Sequence, residues 1–405
     1  MSSKVFTPLA YLKGVVPGGL AVVDDGSGTV HAYVVDRGWP AEAPADPADG
    51  EPAKTRGGTL VKVGITGDAA SEVQGGGWPS TAIPDAEAGG ASQKPFFGPF
   101  IPPGAAPTHA YVCAHAFRET APDVRDAGDT ATGAIYRIAL SDGTLDGSTT
   151  DQLAGPFAIA FDAGGDLYAT NARAGSGDAQ IVRITADLAT VTPVSLPGGV
   201  TLREAGAILW RDEGGDSVLY VTDLADDAAA ARSDAGLAAD KRGRVLRLVI
   251  DVGDPAVVAS GTPYAGDVDR PIALQFGPAA DDAPDAVYVL CAHPQARAEI
   301  LHEDPNTPGQ WCLPSWRAWE HPAGSIRRGD RPSPATDAAT MADFAPALVG
   351  PGGLAIVAGA DPQLFVATAS GAPELPLGDG DAADPSATVC AGIAWTWRKP
   401  RGAMV

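Results

Sequence analysis

Cysteine is scarce, with four in 405 residues. No disulfide framework holds such a chain together, and free thiols fit a reducing compartment. Basic residues are also under-represented, 28 Lys and Arg against 50 Asp and Glu, which leaves a net charge of -22. Nucleic acid is excluded as a partner, because its binding rests on neutralising phosphates with Lys and Arg. Anionic membrane surfaces are excluded on the same ground, and the acidity favours solubility. Aromatics make up only 6% while apolar residues reach 45%, so a large core must be filled by Ala, Val, Ile and Leu. No apolar run approaches the length of a membrane span. The first residues carry no export signal, since the apolar stretch at 6–12 is broken by Pro8 and followed by Lys13. These features predict a soluble chain made in the cytoplasm. Catalytic signatures are missing as well: no nucleophile elbow, no zinc-protease helix, and no phosphate loop, since Gly75-Gly76-Gly77 is not followed by Lys. Six His residues show no spacing that suggests a Ser-His-Asp set.

What the chain does have is a repeat. An aromatic strand recurs at Tyr33, Tyr111, Tyr168, Tyr220, Tyr288 and Phe365, preceded by a short Gly-, Asp- or Pro-bearing turn. Before most turns lies an apolar strand such as Gly19-Leu20-Ala21-Val22-Val23 or Gly353-Leu354-Ala355-Ile356-Val357. After the aromatic strand comes one with a basic residue, marked by Lys62, Arg137, Arg183 and Arg247, with His302 expected as a degenerate fifth member. A unit of several short strands repeated along a chain means a propeller or solenoid. The expected fold is all-β, a single six-bladed β-propeller of four-stranded antiparallel blades. The blades are placed at about 17–75, 96–153, 154–197, 203–262, 270–320 and 351–398 plus 5–12. The anchors stand roughly 50 to 80 residues apart, against about 40 to 50 for a minimal blade, so each blade carries extra loop.

With the strands of a blade lettered A to D from the centre outward, the A–B turns are short and rich in Gly, as in Asp162-Ala163-Gly164-Gly165-Asp166. The long insertions fall elsewhere: 39–57, 117–132, 224–243 and 370–386 between B and C, 75–95 between blades, and parts of 303–350. In an up-and-down blade the B–C loops and the links between blades open on one face. Insertions gathered on one face mark a binding face. The last blade lacks a fourth strand, and the strand at about 6–12 lacks a blade, so the N-terminal strand is predicted to close the ring. Pro8 is tolerable there because an edge strand pairs on one side only.

The run Gly155-Pro156-Phe157-Ala158-Ile159-Ala160-Phe161, its Asp-Gly turn and Tyr168-Ala169-Thr170-Asn171 resemble a blade of the NHL, gluconolactonase and strictosidine-synthase-like six-bladed propellers. The likeness is clear in this blade, fair in the first and fourth, and faint elsewhere. In the metal-dependent lactonases of that group, a Glu and an Asn or Asp at the starts of A strands hold a divalent cation such as calcium. Here only Glu204 supplies an acid at such a start, and Arg270 brings positive charge to the same mouth. The resemblance therefore implies the fold without carrying its catalytic site across, and Glu204, Asn171 and Asp223 are the set that a degenerate hydrolase would use.

Other candidates are polar or aromatic residues toward the loop-rich face. Asp36, Asn171, Asp223 and Thr368 end the aromatic strands at matching positions, where they either bind a ligand or cap the strand. Arg37, Trp39, Trp78, Trp311, Trp316 and Trp319 lie in or beside the insertions, suited either to a sugar or protein partner or to local packing. Cys113-Ala114-His115 and Cys291-Ala292-His293 resemble half-sites for zinc, but they belong to blades on opposite sides of the ring. Cys312 and Cys390 are free to be neighbours. The leading expectation is a non-catalytic binding or scaffold propeller without cofactor, engaging a protein or glycan, within a large assembly such as a phage virion. The alternative is a gluconolactonase-like, metal-dependent hydrolase.

Overall fold

A computed structural model describes residues 7–13, 17–24, 26, 29–36, 59–66, 69–72, 81–82, 96–104, 106–114, 119–121, 124–125, 133–149, 153–172, 179–224, 242–277, 286–293, 302–303, 311–312, 323–330, 339–349, 351–357, 363–368 and 390–396. Regular structure among them is entirely β, so no described helix is long and apolar enough to cross a membrane.

Strand β1 (Thr7–Lys13) precedes the first blade. That blade is β2 (Pro17–Asp24), β3 (Thr29–Asp36), β4 (Thr59–Thr66) and β5 (Ala69–Glu72), with β6 (Thr81–Ala82) against β4. The second begins with β7 (Phe96–Phe100) and β8 (His109–Ala114). A small hairpin, β9 (Glu119–Ala121) and β10 (Val124–Arg125), intervenes before β11 (Ala134–Ala139) and β12 (Leu145–Ser148). The third is β13 (Gly155–Phe161), β14 (Leu167–Ala172), β15 (Gln180–Ile184) and β16 (Val191–Pro193). The fourth is β17 (Ala205–Glu213), β18 (Asp216–Asp223), β19 (Arg242–Ile250) and β20 (Val258–Asp269). The fifth starts with β21 (Pro271–Gly277) and β22 (Ala286–His293). The pair β23 (His302–Glu303) and β24 (Trp311–Cys312) comes next, ahead of β25 (Ala323–Asp330) and β26 (Met341–Val349). The last blade is β27 (Pro351–Val357), β28 (Gln363–Thr368) and β29 (Cys390–Thr396). Its fourth strand is β1, antiparallel to β29, so the N-terminal strand closes the ring as expected. The register shifts beside Pro8, a bulge that accommodates a residue unable to donate to the ladder.

Neighbours within each blade are antiparallel. Five blades are four-stranded; the first departs from that expectation because β6 makes a fifth member. The inner strands β2, β7, β13, β17, β21 and β27 touch in that order, and β27 returns to β2. Pleating explains the core: alternate residues of a strand point to opposite neighbours. Ala32 and Val34 of β3 pack toward Phe365 and Ala367 of the last blade, while Tyr33 and Val35 pack toward Phe96 and Val112 of the second. Strands covered on both faces need apolar residues at nearly every position, and β8, β18 and β22 are buried through almost their whole length.

The repeated aromatics hold the blade interfaces. Tyr111 meets Phe161 with centroids 5.1 Å apart, Tyr168 meets Trp210 at 5.3 Å, and Tyr220 meets Phe276 at 4.8 Å. In each pair the B strand of one blade touches the A strand of the next. At the centre the backbones come too close for side chains. A Cβ on Gly19 would overlap the Gly98 carbonyl, and one on Gly353 would overlap the Leu20 amide.

The fifth blade corrects two expectations. Its outer strands, β25 and β26, lie beyond residue 320, where the blade was expected to end, and the base opposite Tyr288 is Arg328, not His302. His302 and Trp311 belong instead to the small β23–β24 pair, which lies within the B–C connection and hides the repeat. Cys113 and Cys291, on β8 and β22, are buried and form no disulfide. The side chains of Cys312 and Cys390 lie outside the described residues.

Candidate functional site

Each B strand ends three to five residues beyond its aromatic anchor, at the face where the long B–C insertions leave β3, β8, β18, β22 and β28; the third residue beyond the anchor is the one that meets the inner strand. Register places that end beside the start of the same blade's A strand: Asp36 opposite Pro17, Asn171 opposite Pro156, Asp223 opposite Ala205 and Thr368 opposite Pro351. Each of these A strands then shifts register within a few residues, a bulge that leaves backbone amides in need of acceptors. The Thr-Asn and Thr-Asp ends of β14 and β18 supply them. Thr170 Oγ1 accepts from the Ala158 amide at 3.2 Å and donates to the Gly206 carbonyl of the next blade at 2.6 Å. Thr222 Oγ1 accepts from Ala207 at 2.6 Å. Asn171 Oδ1 accepts from Ala154 at 3.2 Å and Gly155 at 2.9 Å, and Asp223 Oδ1 accepts from Glu204 at 2.8 Å and Arg203 at 3.1 Å.

Asn171 and Asp223 are buried, at 1% and 0% exposure, with the bonded oxygens turned to these backbone amides. The polar ends of these two strands act as caps. Asp223 is nonetheless charged architecture: Arg244 of β19, its register partner, reaches Oδ2 with Nη2 at 3.1 Å and also donates to the Thr201 carbonyl at 2.8 Å. Burial raises the Asp223 carboxyl above its ordinary value, opposed by the Glu204 and Arg203 amides and by Arg244.

Glu204 and Arg270 stand just before the A strands of the fourth and fifth blades, and Glu204 Oε1 lies 3.6 Å from Arg270 Nη2. The sequence brings these two to one mouth, and the structure makes them an ion pair. A hard cation needs several converging oxygens. Glu204 is committed to Arg270, and the Asn171 and Asp223 oxygens face their own blades' amides. Among the described residues no group of three or more His, Cys, Asp and Glu is placed to hold a metal ion. This set does not fit a divalent cation.

Arg244 and Arg203 escape a reading of the repeat alone. The signal was nevertheless present: counting three residues each way from the Tyr220–Arg247 pair joins Asp223 to Arg244 across the whole B–C insertion. The side chains of Asp36, Trp311 and Thr368 lie outside the described residues, as do Arg37, Trp39, Trp78, Trp316 and Trp319 entirely.

The opposite face holds the repeated bases. Lys62, Arg137, Arg183, Arg247 and Arg328 each stand directly across from a blade's tyrosine. Lys62 Nζ lies 5.6 Å from the Tyr33 ring centroid, Arg183 pairs with Asp166, and Arg247 Nη2 reaches Glu213 at 2.7 Å. Beside Arg137, Asp146 Oδ2 receives His109 Nε2 at 2.7 Å, and Thr108 Oγ1 is 2.8 Å from His109 Nδ1. This last group puts a hydroxyl, an imidazole and a carboxylate in series. Asp146 is shared with Arg137 Nε at 3.2 Å, so the group ties β8, β11 and β12 together.

No protein-family model matches the chain, and no curated protein sequence matches it. Solved structures do share its architecture. A protein of unknown function from Dyadobacter fermentans aligns over 98% of this chain and 99% of its own length, with TM-score 0.54 and 10% identity. The chain is a β-propeller. The PQQ-bound aldose sugar dehydrogenase of Streptomyces coelicolor aligns over 98% of each chain, with TM-score 0.50 and 15% identity. At these identities the likeness extends to the fold alone.

Proposed function

We propose that this propeller is a non-catalytic binding module, whose loop-bearing face engages a protein or glycan partner as a structural part of a larger assembly. One observation carries the reading. At the loop-bearing face, the polar groups that a hydrolase would need, Asn171, Asp223 and Glu204, are engaged by the framework, in two buried caps and one ion pair. The long B–C insertions of the sequence join strand ends at that same face, and insertions gathered on one face favour a binding role. The inner strands are brought together by glycine and small apolar residues, which favours a packed centre over a polar pocket.

Native mass spectrometry of the protein from its natural source, with metal analysis on the same sample, tests the proposal. A metal-free chain that travels with defined partners is the expected result. A lone monomer with stoichiometric calcium, zinc or manganese would overturn it and direct attention to lactone and ester substrates.

A further inference from the structure

The hydroxyl, imidazole and carboxylate of Thr108, His109 and Asp146 lie on the face away from the long insertions, and their arrangement is not the default of a β-sheet. Successive side chains of a strand point to opposite faces. Thr108 reaches the ring of its neighbour because β8 begins only at His109, which leaves Thr108 outside the strand. The Thr108 carbonyl accepts the Leu140 amide at 2.8 Å, which pins this residue beside the end of β11. Asp146 is re-aimed in another way. Arg137 pairs with Gly147 and Ile138 with Leu145, so Asp146 is the extra residue of a bulge in β12, followed by Gly147 at φ 156°. Bulges turn a side chain out of its regular direction and are frequent beside active sites. Arg137 holds the bulge in place, donating from Nη2 to the Asp146 carbonyl at 3.0 Å and from Nη1 to the Ala186 carbonyl of the third blade at 3.2 Å.

The order of contacts has chemical meaning. When His109 Nε2 donates its proton to Asp146 Oδ2, at 2.7 Å, Nδ1 is left as the acceptor for the Thr108 hydroxyl, at 2.8 Å. A hydroxyl within reach of a base that is itself oriented by a third group is the arrangement that activates a nucleophile. Thr108 is exposed and 30% of the His109 side chain is accessible, so a reagent arriving from solvent meets both.

We infer that Thr108 is a nucleophile that takes up an acyl group from a neutral, activated carboxylic ester, with His109 as its general base and Asp146 positioning His109. Thr108 Oγ1 attacks the ester carbonyl carbon while its proton passes to His109 Nδ1. The Oγ1–carbon bond forms, the bond to the alcohol oxygen breaks, and His109 returns the proton to that leaving oxygen. The acyl group has moved from one oxygen to another, with no oxidant or further reactant. The net charge of -22 disfavours anionic donors such as acyl phosphates, which leaves neutral esters as the class. This is a modification of the chain on the face opposite the proposed partner surface, and it does not depend on that reading.

Incubation of the full chain with p-nitrophenyl acetate, followed by peptide mass mapping over time, tests the inference. Acetyl should appear on Thr108 ahead of the chain's lysines, and unfolding in urea should abolish that lead. His109→Gln should slow labelling of Thr108 by about a hundredfold and leave the lysines unchanged. Asp146→Asn should slow it less, and Asp146→Glu should restore part of the rate, a rescue that a merely structural loss would not show. Thr108→Ser should still be labelled at that position, and thermal unfolding confirms that each variant folds. The inference is overturned if Thr108 stays unlabelled while lysines react, or if folded His109→Gln or Asp146→Asn is labelled like the parent.

Discussion

Asp223 and Asn171 occupy the same register position in adjacent blades and do the same work with different chemistry. Each accepts two backbone amides at the start of an inner strand, but only Asp223 carries a charge and an arginine partner. Removing the acceptor should cost unequally. Asn171→Ala leaves two amides without their acceptor, at about 1–3 kcal/mol. Asp223→Ala also removes the carboxylate that Arg244 binds, and hydrogen bonds to charged groups are worth about 1.5–3 kcal/mol, so its total cost should be the larger. Denaturant unfolding of the two variants should keep that order, and equal costs would refute the pairing. The pH dependence has a definite sign. Burial raises the Asp223 carboxyl, so the folded chain holds its proton more tightly than the unfolded chain. Stability from this residue is therefore fully present below the unfolded value of about 4 and declines as pH rises through the folded value. The unfolding free energy of the parent minus that of Asp223→Asn should fall between pH 4 and pH 7. A difference that rises over this range would show that the Arg244 attraction outweighs burial.

At the level of strands, the repeat was legible wherever a strand has one invariant duty. Tyr168 and Tyr220 read as anchors because each fills a blade interface, and Arg183 and Arg247 read as C-strand markers because each lies across from its tyrosine. The fifth blade was misread because register, not spacing, pairs Tyr288 with Arg328, and the connection between them carries strands of its own. The candidate site was less legible for the same reason. Asp223–Arg244 spans an insertion, and Glu204–Arg270 spans two blades. A subtler rule joins neighbouring strands. Gly133 lies against the Pro156 ring of the next blade, and Gly243 lies against Pro271. Where the next inner strand begins with Ala205 instead of proline, the equivalent position carries Ala179. At these two junctions a proline at an inner-strand start sits against a glycine at the preceding blade's C-strand start. Gly243→Ala should destabilise by about 1–3 kcal/mol through overpacking. Adding Pro271→Ala should recover part of that loss, with an interaction energy of at least about 0.5 kcal/mol in a double-mutant cycle. Strict additivity would show that the contact has no energetic weight.

Over the whole molecule, the apolar clusters form a closed series in which each joins consecutive blades, and one of them unites the last blade with the first. Closure there has two parts. Leu20, Ala32 and Val34 pack against Ala355 and Phe365, while β1 completes the blade to which those last residues belong. The second part involves little more than a strand edge, with Thr7 to Lys13 paired along β29 from Trp395 to Cys390. Without β1 that edge is a row of open amides and carbonyls, a template for another chain. A chain lacking residues 1–13 should therefore retain its other blades but unfold at lower temperature and associate with itself, visible as dimers or larger species in light scattering. A synthetic peptide of residues 4–14 added in trans should restore the monomer by occupying the vacated edge. If the truncated chain stays monomeric with an unchanged midpoint, packing between the first and last blades is sufficient to hold the ring, and β1 is dispensable to it.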